Sequence, residues 1–450
     1  MMGKADSRRP SAVSARLLLG VVLAGTLSVL DSTIVVPLLS SIGEDLGGGS
    51  EVSWLVAGYL LASTASIPLW GRWMDLRGER TAMWAALSVF LLGTIVSAMA
   101  PSLGILILGR VIQGLGAGGV VPLGQAVLAS RCSSSERARL QVYYNVAYGM
   151  AAGLGPLIGG TLVSVSWRWA FWLIVPFTVT VMAVLRGQLN RMPTEGERKP
   201  FDGLGSAILT VGLTALLLGI ERSSWSISAV GVLALVWFVM RSRHHDGSVI
   251  PASILTSRVV LACSAAGLVI GFVQFAFLTY LPLVAHQLDP SMNSGLVVIP
   301  LTVLWMTLGA VAGNIALRTG SKRLVLMSML LAVAAATTVA TWFALPSLFI
   351  AATLIGAAAG LALLPALLLA QAASPKEDIG AATSMYVLMR NFGGAVGVAV
   401  TALALIHSSV SVTMWMLAAV ALVGIVPALM LPGAKEERII HSRKDEAHEH

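Results

Sequence analysis

The chain is poor in charge. Aspartate, glutamate, lysine and arginine make up 11% of its 450 residues, against roughly 25% in soluble domains. Hydrophobic residues make up 56%, and the mean hydropathy is +0.85. A water-facing shell could not hide that much apolar surface, so a soluble globule is excluded and lipid is the expected solvent. Cysteine is nearly missing. Cys132 sits in a basic loop and Cys263 in an apolar run far away, a pattern that reads as two unpaired thiols rather than a disulfide framework. No phosphate-cradling glycine loop with its lysine occurs, so direct ATP drive is not expected and nothing reads as an enzyme. No metal site is expected either; the histidines of the tail "HSRKDEAHEH" (441–450) read as solvated. The net charge of +8 does not point to nucleic acid, because the basic residues lie in short clusters between apolar runs, as in membrane loops.

Fourteen runs are long and apolar enough to be read as spans: about 17–39, 52–71, 80–100, 103–130, 138–164, 167–186, 203–221, 225–241, 258–286, 291–317, 323–343, 346–371, 379–406 and 410–431. No cleavage pattern follows the basic start, so the first run is read as a retained span. With the N-terminus placed in the cytoplasm, only Arg110, Arg168, Arg222 and Arg390 of the 29 basic residues fall outside the inner loops and tails. This bias puts both termini in the cytoplasm. "GRWMDLRGER" (71–80) and "GNIALRTGSK" (313–322) share glycines seven apart, and "VVPLGQAVLAS" (120–130) resembles "LLPALLLAQAAS" (363–374), at an offset of about 242 in both cases. The expected organisation is an N-terminal tail (1–16), a six-helix half (17–186), a linker with two extra helices (187–257), a second six-helix half (258–431) and a C-terminal tail (432–450).

Three motifs stand out. The loop between spans two and three carries Gly71, Asp75, Arg77, Gly78 and Arg80. Its aspartate among arginines can form a charge network that joins two helices in one state and frees them in another; an ordinary basic loop is the plainer reading. Span four carries Arg110 and Gln113, three apart and so on one helix face, followed by Gly114. Span five carries "GLGPLIGG", with Gly155, Pro156, Gly159 and Gly160. Its small residues make a smooth surface and its proline a bend.

With these motifs the chain resembles the major facilitator superfamily over nearly its whole length, and more narrowly the fourteen-helix drug:proton antiporter branch. "RVIQGLGAG" (110–118) resembles the family's span-four motif, "GPLIGG" (155–160) its exporter signature, "LDSTIV" (30–35) the branch's first-helix motif, and "MRNFGGAVGVAV" (389–400) its eleventh superfamily helix. Leu76 and Glu79 depart from the loop motif's usual basic residues, and Val36 stands where the branch usually has asparagine. The resemblance implies an all-α integral membrane protein with the major facilitator fold, two six-helix halves plus a two-helix insertion. It implies proton coupling through the span-four motif and export as the direction.

One acid lies inside the first span: Asp31. Intramembrane acids mark pathways more often than they serve packing. Asp31 and Arg110 lie about eight and seven residues from the outer ends of their spans, which at 1.5 Å per residue is a similar depth of about 11–12 Å. A charge pair is then possible if the helices touch. Asp31 is read as the proton carrier and Arg110 as its partner; a structural ion pair is the competing reading. Arg390, near mid-depth in its span, can meet a substrate anion, a helix carbonyl or Asp31. Asn145, Tyr148, Gln274, Tyr280, Trp305 and Tyr386 join Arg390 as candidates for a substrate cavity, against the plainer reading as packing or interfacial residues. Acids are absent deep inside the later spans, so few protons per cycle and neutral, monocationic or anionic substrates are expected. The sum is a proton-driven antiporter without a cofactor, acting as a monomer in the inner (plasma) membrane and exporting small amphipathic compounds. A dedicated exporter or importer of one metabolite, siderophore or lipid on the same fold, and a non-transporting membrane sensor, are the alternatives.

Overall fold

The computed structural model describes residues 14–47, 50–132, 136, 140, 143, 146–147, 150–151, 154–155, 158–162, 165–189, 202–221, 224–243, 245, 248, 250–289, 294–375, 378–437 and 439–440. The described residues hold no strand. This is what a lipid-facing chain requires, since each backbone N–H and C=O must find its partner within the segment. The long helices are α1 (Ala15–Ile34), α2 (Trp54–Arg77), α3 (Glu79–Ala98), α4 (Leu103–Arg131), α5 (Arg168–Leu185), α6 (Gly203–Glu221), α7 (Trp225–Ser242), α8 (Arg258–Leu288), α9 (Ile299–Thr319), α10 (Ser321–Thr341), α11 (Leu345–Ala372), α12 (Ile379–His407) and α13 (Val410–Val423). Between α4 and α5, every described residue from 136 to 162 is helical.

Among the described residues, eleven helices are long and apolar enough to cross a membrane. Fourteen spans were expected, and three of those runs do not meet this measure. The α6 helix is apolar over Leu204–Ile220, a shorter stretch. The α2 helix is long but carries Arg72, Asp75 and Arg77 at one end. The third is the partly described 136–162 segment. The protein is thus an all-helical, multi-pass membrane protein. Its two cysteines, Cys132 and Cys263, are buried and form no disulfide.

Helix ends follow local chemistry. Ser14, Ser257 and Ser409 cap α1, α8 and α13, each accepting from a backbone N–H three residues on. Gly78 and Gly320 separate α2 from α3 and α9 from α10 at φ 85° and 89°, a backbone state that strains any other residue. These two glycines are 242 residues apart, the offset read from the sequence. The packing repeats as well. Before the hairpin, α4 packs on α2, α3 and α1, and α5 on α1 and α3; after it, α11 packs on α9, α10 and α8, and α13 on α10 and α8. Pro122 in α4 and Pro365 in α11 interrupt corresponding helices.

The hairpin α6–α7 lies against the bundle through α6, which touches both α2 and α12. Its second helix shows Trp225, Leu233, Trp237 and Met240 to the surroundings, an apolar face suited to lipid. Asp202 ties the hairpin together. Its carboxylate accepts from Arg241 Nε and Nη2, both at 3.1 Å, and from Gly205 N at 2.9 Å. Burial works against its charged form, but Arg241 and the Gly205 amide outweigh it and hold the carboxyl below its ordinary value. With the native value below the unfolded one, the clamp contributes fully above about pH 4, the unfolded value, and is lost as pH falls through the lowered native value. Asp202→Ala is expected to weaken the hairpin by about 1–2 kcal/mol. Amide exchange should then quicken over residues 203–242 with α3 and α4 unchanged, and wild type should approach the variant below pH 4.

Candidate functional site

Asp31 sits in the last turn of α1, which ends three residues later at Ile34 and continues as a 3-10 turn, Val36–Leu38. Pro37 lies in that turn and has no N–H to give a continuing helix. The Asp31 side chain is fully buried, and so are Arg110 and Gln113 on α4. Arg110 Nη1 donates to Asp31 Oδ2 at 2.9 Å and to Gln113 Oε1 at 2.6 Å. Gln113 Nε2 donates to Asp31 Oδ1 at 2.7 Å and to Thr94 Oγ1, on α3, at 2.9 Å. Arg110 Nε donates to the Leu55 carbonyl of α2 at 3.0 Å, and the Tyr59 ring faces the guanidinium at 4.1 Å. One ion pair thus gathers α1, α2, α3 and α4 at a single point. Both carboxylate oxygens are hydrogen-bonded, the condition under which a buried pair is tolerated. Arg110 does not reach out to the membrane edge; its side chain is 1% exposed. Thr94 and the Leu55 carbonyl were not picked out from sequence. A threonine that also donates to the Phe90 carbonyl one turn back looks like ordinary helix packing, and a carbonyl carries no residue signal.

Asp75 of the loop motif lies within electrostatic reach of Arg72 and Asp378 and also bonds across the bundle. Asp75 Oδ2 accepts the backbone N–H of Ala381 at 3.1 Å. This is the first turn of α12, whose own N-cap residue Asp378 makes no capping bond. An acid from one half of the bundle thus caps a helix of the other, satisfying one of its first backbone N–H groups. Gly71 and Gly380 make the approach possible. A Cβ on Gly71 would overlap Ser384 Oγ and lie 2.7 Å from the Gly380 carbonyl, and one on Gly380 would lie 2.5 Å from Asp75 Oδ1. The halves are therefore closed at the end that carries Gly78. Arg77 is exposed and Arg80 half-buried. Glu79, the departure from the family pattern, is bonded to Arg131 at the end of α4 and accepts from Ser130 Oγ at 2.8 Å.

Small residues bring the remaining helices against this frame. Gly114 faces the α2 backbone at Tyr59, Gly155 faces Thr33, and Gly159 faces the Ile34 carbonyl and Pro37. Gly155 and Gly159 therefore pack on α1 directly beside Asp31. Gly160 has no neighbour among the described residues where a side chain would be. Pro156, Asn145 and Tyr148 lie outside the described residues.

The other cavity candidates separate into two kinds. Tyr280 donates to the Val398 carbonyl at 3.0 Å and Tyr386 to the Leu363 carbonyl at 2.7 Å, so both hydroxyls join helices. Trp305 lies 5.5 Å from the guanidinium of Arg390. Arg390 does not pair with Asp31, whose oxygens are taken by Arg110 and Gln113. Gln274 is buried, and neither its Oε1 nor its Nε2 has a partner among the described residues.

This arrangement can be set beside known proteins. The Multidrug transporter protein MdtP of Bacillus subtilis is 28% identical over 400 residues, 85% of this chain and 73% of that protein. An uncharacterized MFS-type transporter of Mycobacterium tuberculosis is 29% identical over 410 residues, 87% of this chain. The chain spans only 59% of that relative's length. The efflux pump FUS6 of Gibberella fujikuroi is 27% identical, covering 87% of this chain and 76% of its own length. Among solved structures, the proton:xylose symporter XylE superposes with a TM-score of 0.67 at 15% identity, covering 93% of this chain and 95% of that one. The human organic anion transporter MFSD10 does so with 0.66 at 18% identity, covering 92% and 99%. At such identities these structures speak for the fold alone. The model of the Major Facilitator Superfamily matches residues 21–398 and 307–448. The chain therefore belongs to the Major Facilitator Superfamily, a family of transporters and not of enzymes.

Proposed function

We propose that this protein is a proton-coupled antiporter that exports small amphipathic compounds across the inner (plasma) membrane, as a monomer with both termini in the cytoplasm, by alternating access and without a cofactor. The observation that carries this reading is the buried Asp31 carboxylate, held by Arg110 and Gln113 at the meeting point of four helices. A proton added to Asp31 removes the charge that attracts Arg110 and turns one acceptor oxygen into a donor. The four-helix node then loses its central attraction. Gly155 and Gly159 press on the same stretch of α1, so a change at Asp31 is felt by the 136–162 segment at once. On this reading the closed end is cytoplasmic, and the structure represents the conformation facing outward. Asp31 takes its proton from outside and gives it up inside, while substrate travels the other way. The names of the B. subtilis and G. fujikuroi relatives and the exporter-like "GPLIGG" (155–160) favour export over import.

The test uses purified protein in liposomes with an imposed pH gradient and a lumenal pH dye. A panel of lipophilic cations, neutral antibiotics and organic anions is added in turn. Proton movement triggered by at least one class, absent from protein-free liposomes, is the expected result. Silence with every compound would turn the assignment toward a dedicated metabolite or lipid carrier, or a sensor.

A further inference from the structure

Arg390 stands eleven residues beyond Ile379, the start of α12. Its Nε and Nη2 are buried and have no hydrogen-bond partner among the described residues. The guanidinium instead has two rings near it, Phe275 on α8 at 5.8 Å and Trp305 on α9 at 5.5 Å. Beside Phe275 in the chain is Gln274, 2% exposed, with both amide atoms unpartnered. The two orphans belong to one helix contact: a Cβ on Gly271, three residues before Gln274, would lie 3.0 Å from the Arg390 carbonyl carbon. Arg110 shows what a buried arginine ordinarily requires, namely a carboxylate, an amide oxygen and a carbonyl. Arg390 is half-buried as a whole, yet its buried Nε and Nη2 have ring faces near them and no such acceptors, and rings do not replace the hydrogen bonds that buried donors need. A donor fork, an amide offering both a donor and an acceptor, and two aromatic walls share one place between α8, α9 and α12.

We propose that Arg390, Gln274, Phe275 and Trp305 form a substrate subsite for an aromatic organic monoanion, with its carboxylate or sulfonate on the guanidinium and its ring between Phe275 and Trp305. The fork of an arginine matches two oxygens of one such group, and offset or edge contacts with the flanking rings hold the apolar part. This assignment rests on the transport reading above and names its substrate class. It also sets the charge balance. One proton entering while one monoanion leaves carries two positive charges inward, so an inside-negative potential drives the exchange along with the pH gradient. Exchange of a neutral compound would carry one.

The test is calorimetric titration of the full chain in lipid nanodiscs with 1-naphthoate, its neutral isostere 1-naphthamide and the cation 1-naphthylmethylamine. Wild type is expected to bind naphthoate about tenfold or more tighter than the amide, as for a hydrogen bond to a charged group. Arg390→Gln should erase that preference, Arg390→Lys should keep part of it, and Gln274→Leu should weaken naphthoate. Equal affinity for naphthoate and naphthamide in wild type overturns the proposal, as does a preference that survives in Arg390→Gln. Where Arg390→Gln does not fold, Arg390→Lys carries the test, and an unchanged preference there overturns it. The liposome assay separates the two readings. Proton movement with other compounds but no naphthoate binding discards the subsite and keeps the antiporter. Selective naphthoate binding with no proton movement for any compound keeps the subsite and discards the antiporter.

Discussion

In Asp31→Asn, substrate-triggered proton movement is expected to fall to the level of protein-free liposomes. Asparagine mimics the protonated acid in shape and charge but cannot cycle. It also leaves Arg110 buried without a counter-charge, and breaking one partner of a buried pair costs about 3–5 kcal/mol. Loss of activity alone would therefore not separate a failed proton carrier from a loosened fold. The double variant Asp31→Asn/Arg110→Gln separates them, because it removes both charges. Its thermal unfolding in detergent should return most of the way to wild type. The coupling between two such contacting residues, read from the full cycle, is expected at about 0.5–3 kcal/mol. Proton movement should stay absent in this stable double variant. Coupled transport surviving there would reduce Asp31–Arg110 to a structural pair.

Gly71→Val should disable the protein by a different route. The added side chain meets the Gly380 carbonyl and Ser384 across the junction of the two halves. Overpacking of a close contact costs about 1–3 kcal/mol. Here the cost falls on one conformation only, the one closed at the Gly78 end. A strain of that size moves a two-state ratio by about five- to 150-fold, so the closed form becomes a minor species and turnover falls with it. Spin labels at Arg77→Cys and Pro375→Cys, on opposite sides of the junction, should show one short distance in the parent and a longer population in Gly71→Val. Adding Ser384→Ala should recover only part of the short distance, since the Gly380 carbonyl stays in place. An unchanged distance with full transport would mean that this junction is not a gate.

Much of this protein was legible from order and spacing. The scarcity of charge required lipid, and lipid required helices, because each backbone group must be satisfied within its own segment. The offset of about 242 predicted corresponding turns, and Gly78 and Gly320 both adopt a positive φ. The partnership of Asp31 with Arg110 was foreseeable because helical rise converts residue number into depth, and equal depth is the first condition of contact. The first span is not one straight helix at this end: α1 stops at Ile34, and a 3-10 turn over Val36–Leu38, which holds Pro37, precedes a short helix, Leu39–Leu46.

What the sequence determined by itself, then, was whatever depends on composition, periodicity and position along a helix: solvent, secondary structure, the order of helices and the place of each charge along its helix. The tertiary structure decided the azimuths, meaning which neighbour each side chain faces. Rise is set by the backbone and is the same for every helix, whereas azimuth is set by how helices far apart in the chain interlock. That is why Thr94 and the Leu55 carbonyl entered the Asp31 node unannounced, and why Asp75 reaches the amide of Ala381 on a helix far along the chain. It is also why two arginines, each predicted only as a charge within a span, came to differ: Arg110 is buried and enclosed by acceptors, while Arg390 is half-buried near two rings with its buried Nε and Nη2 unpartnered.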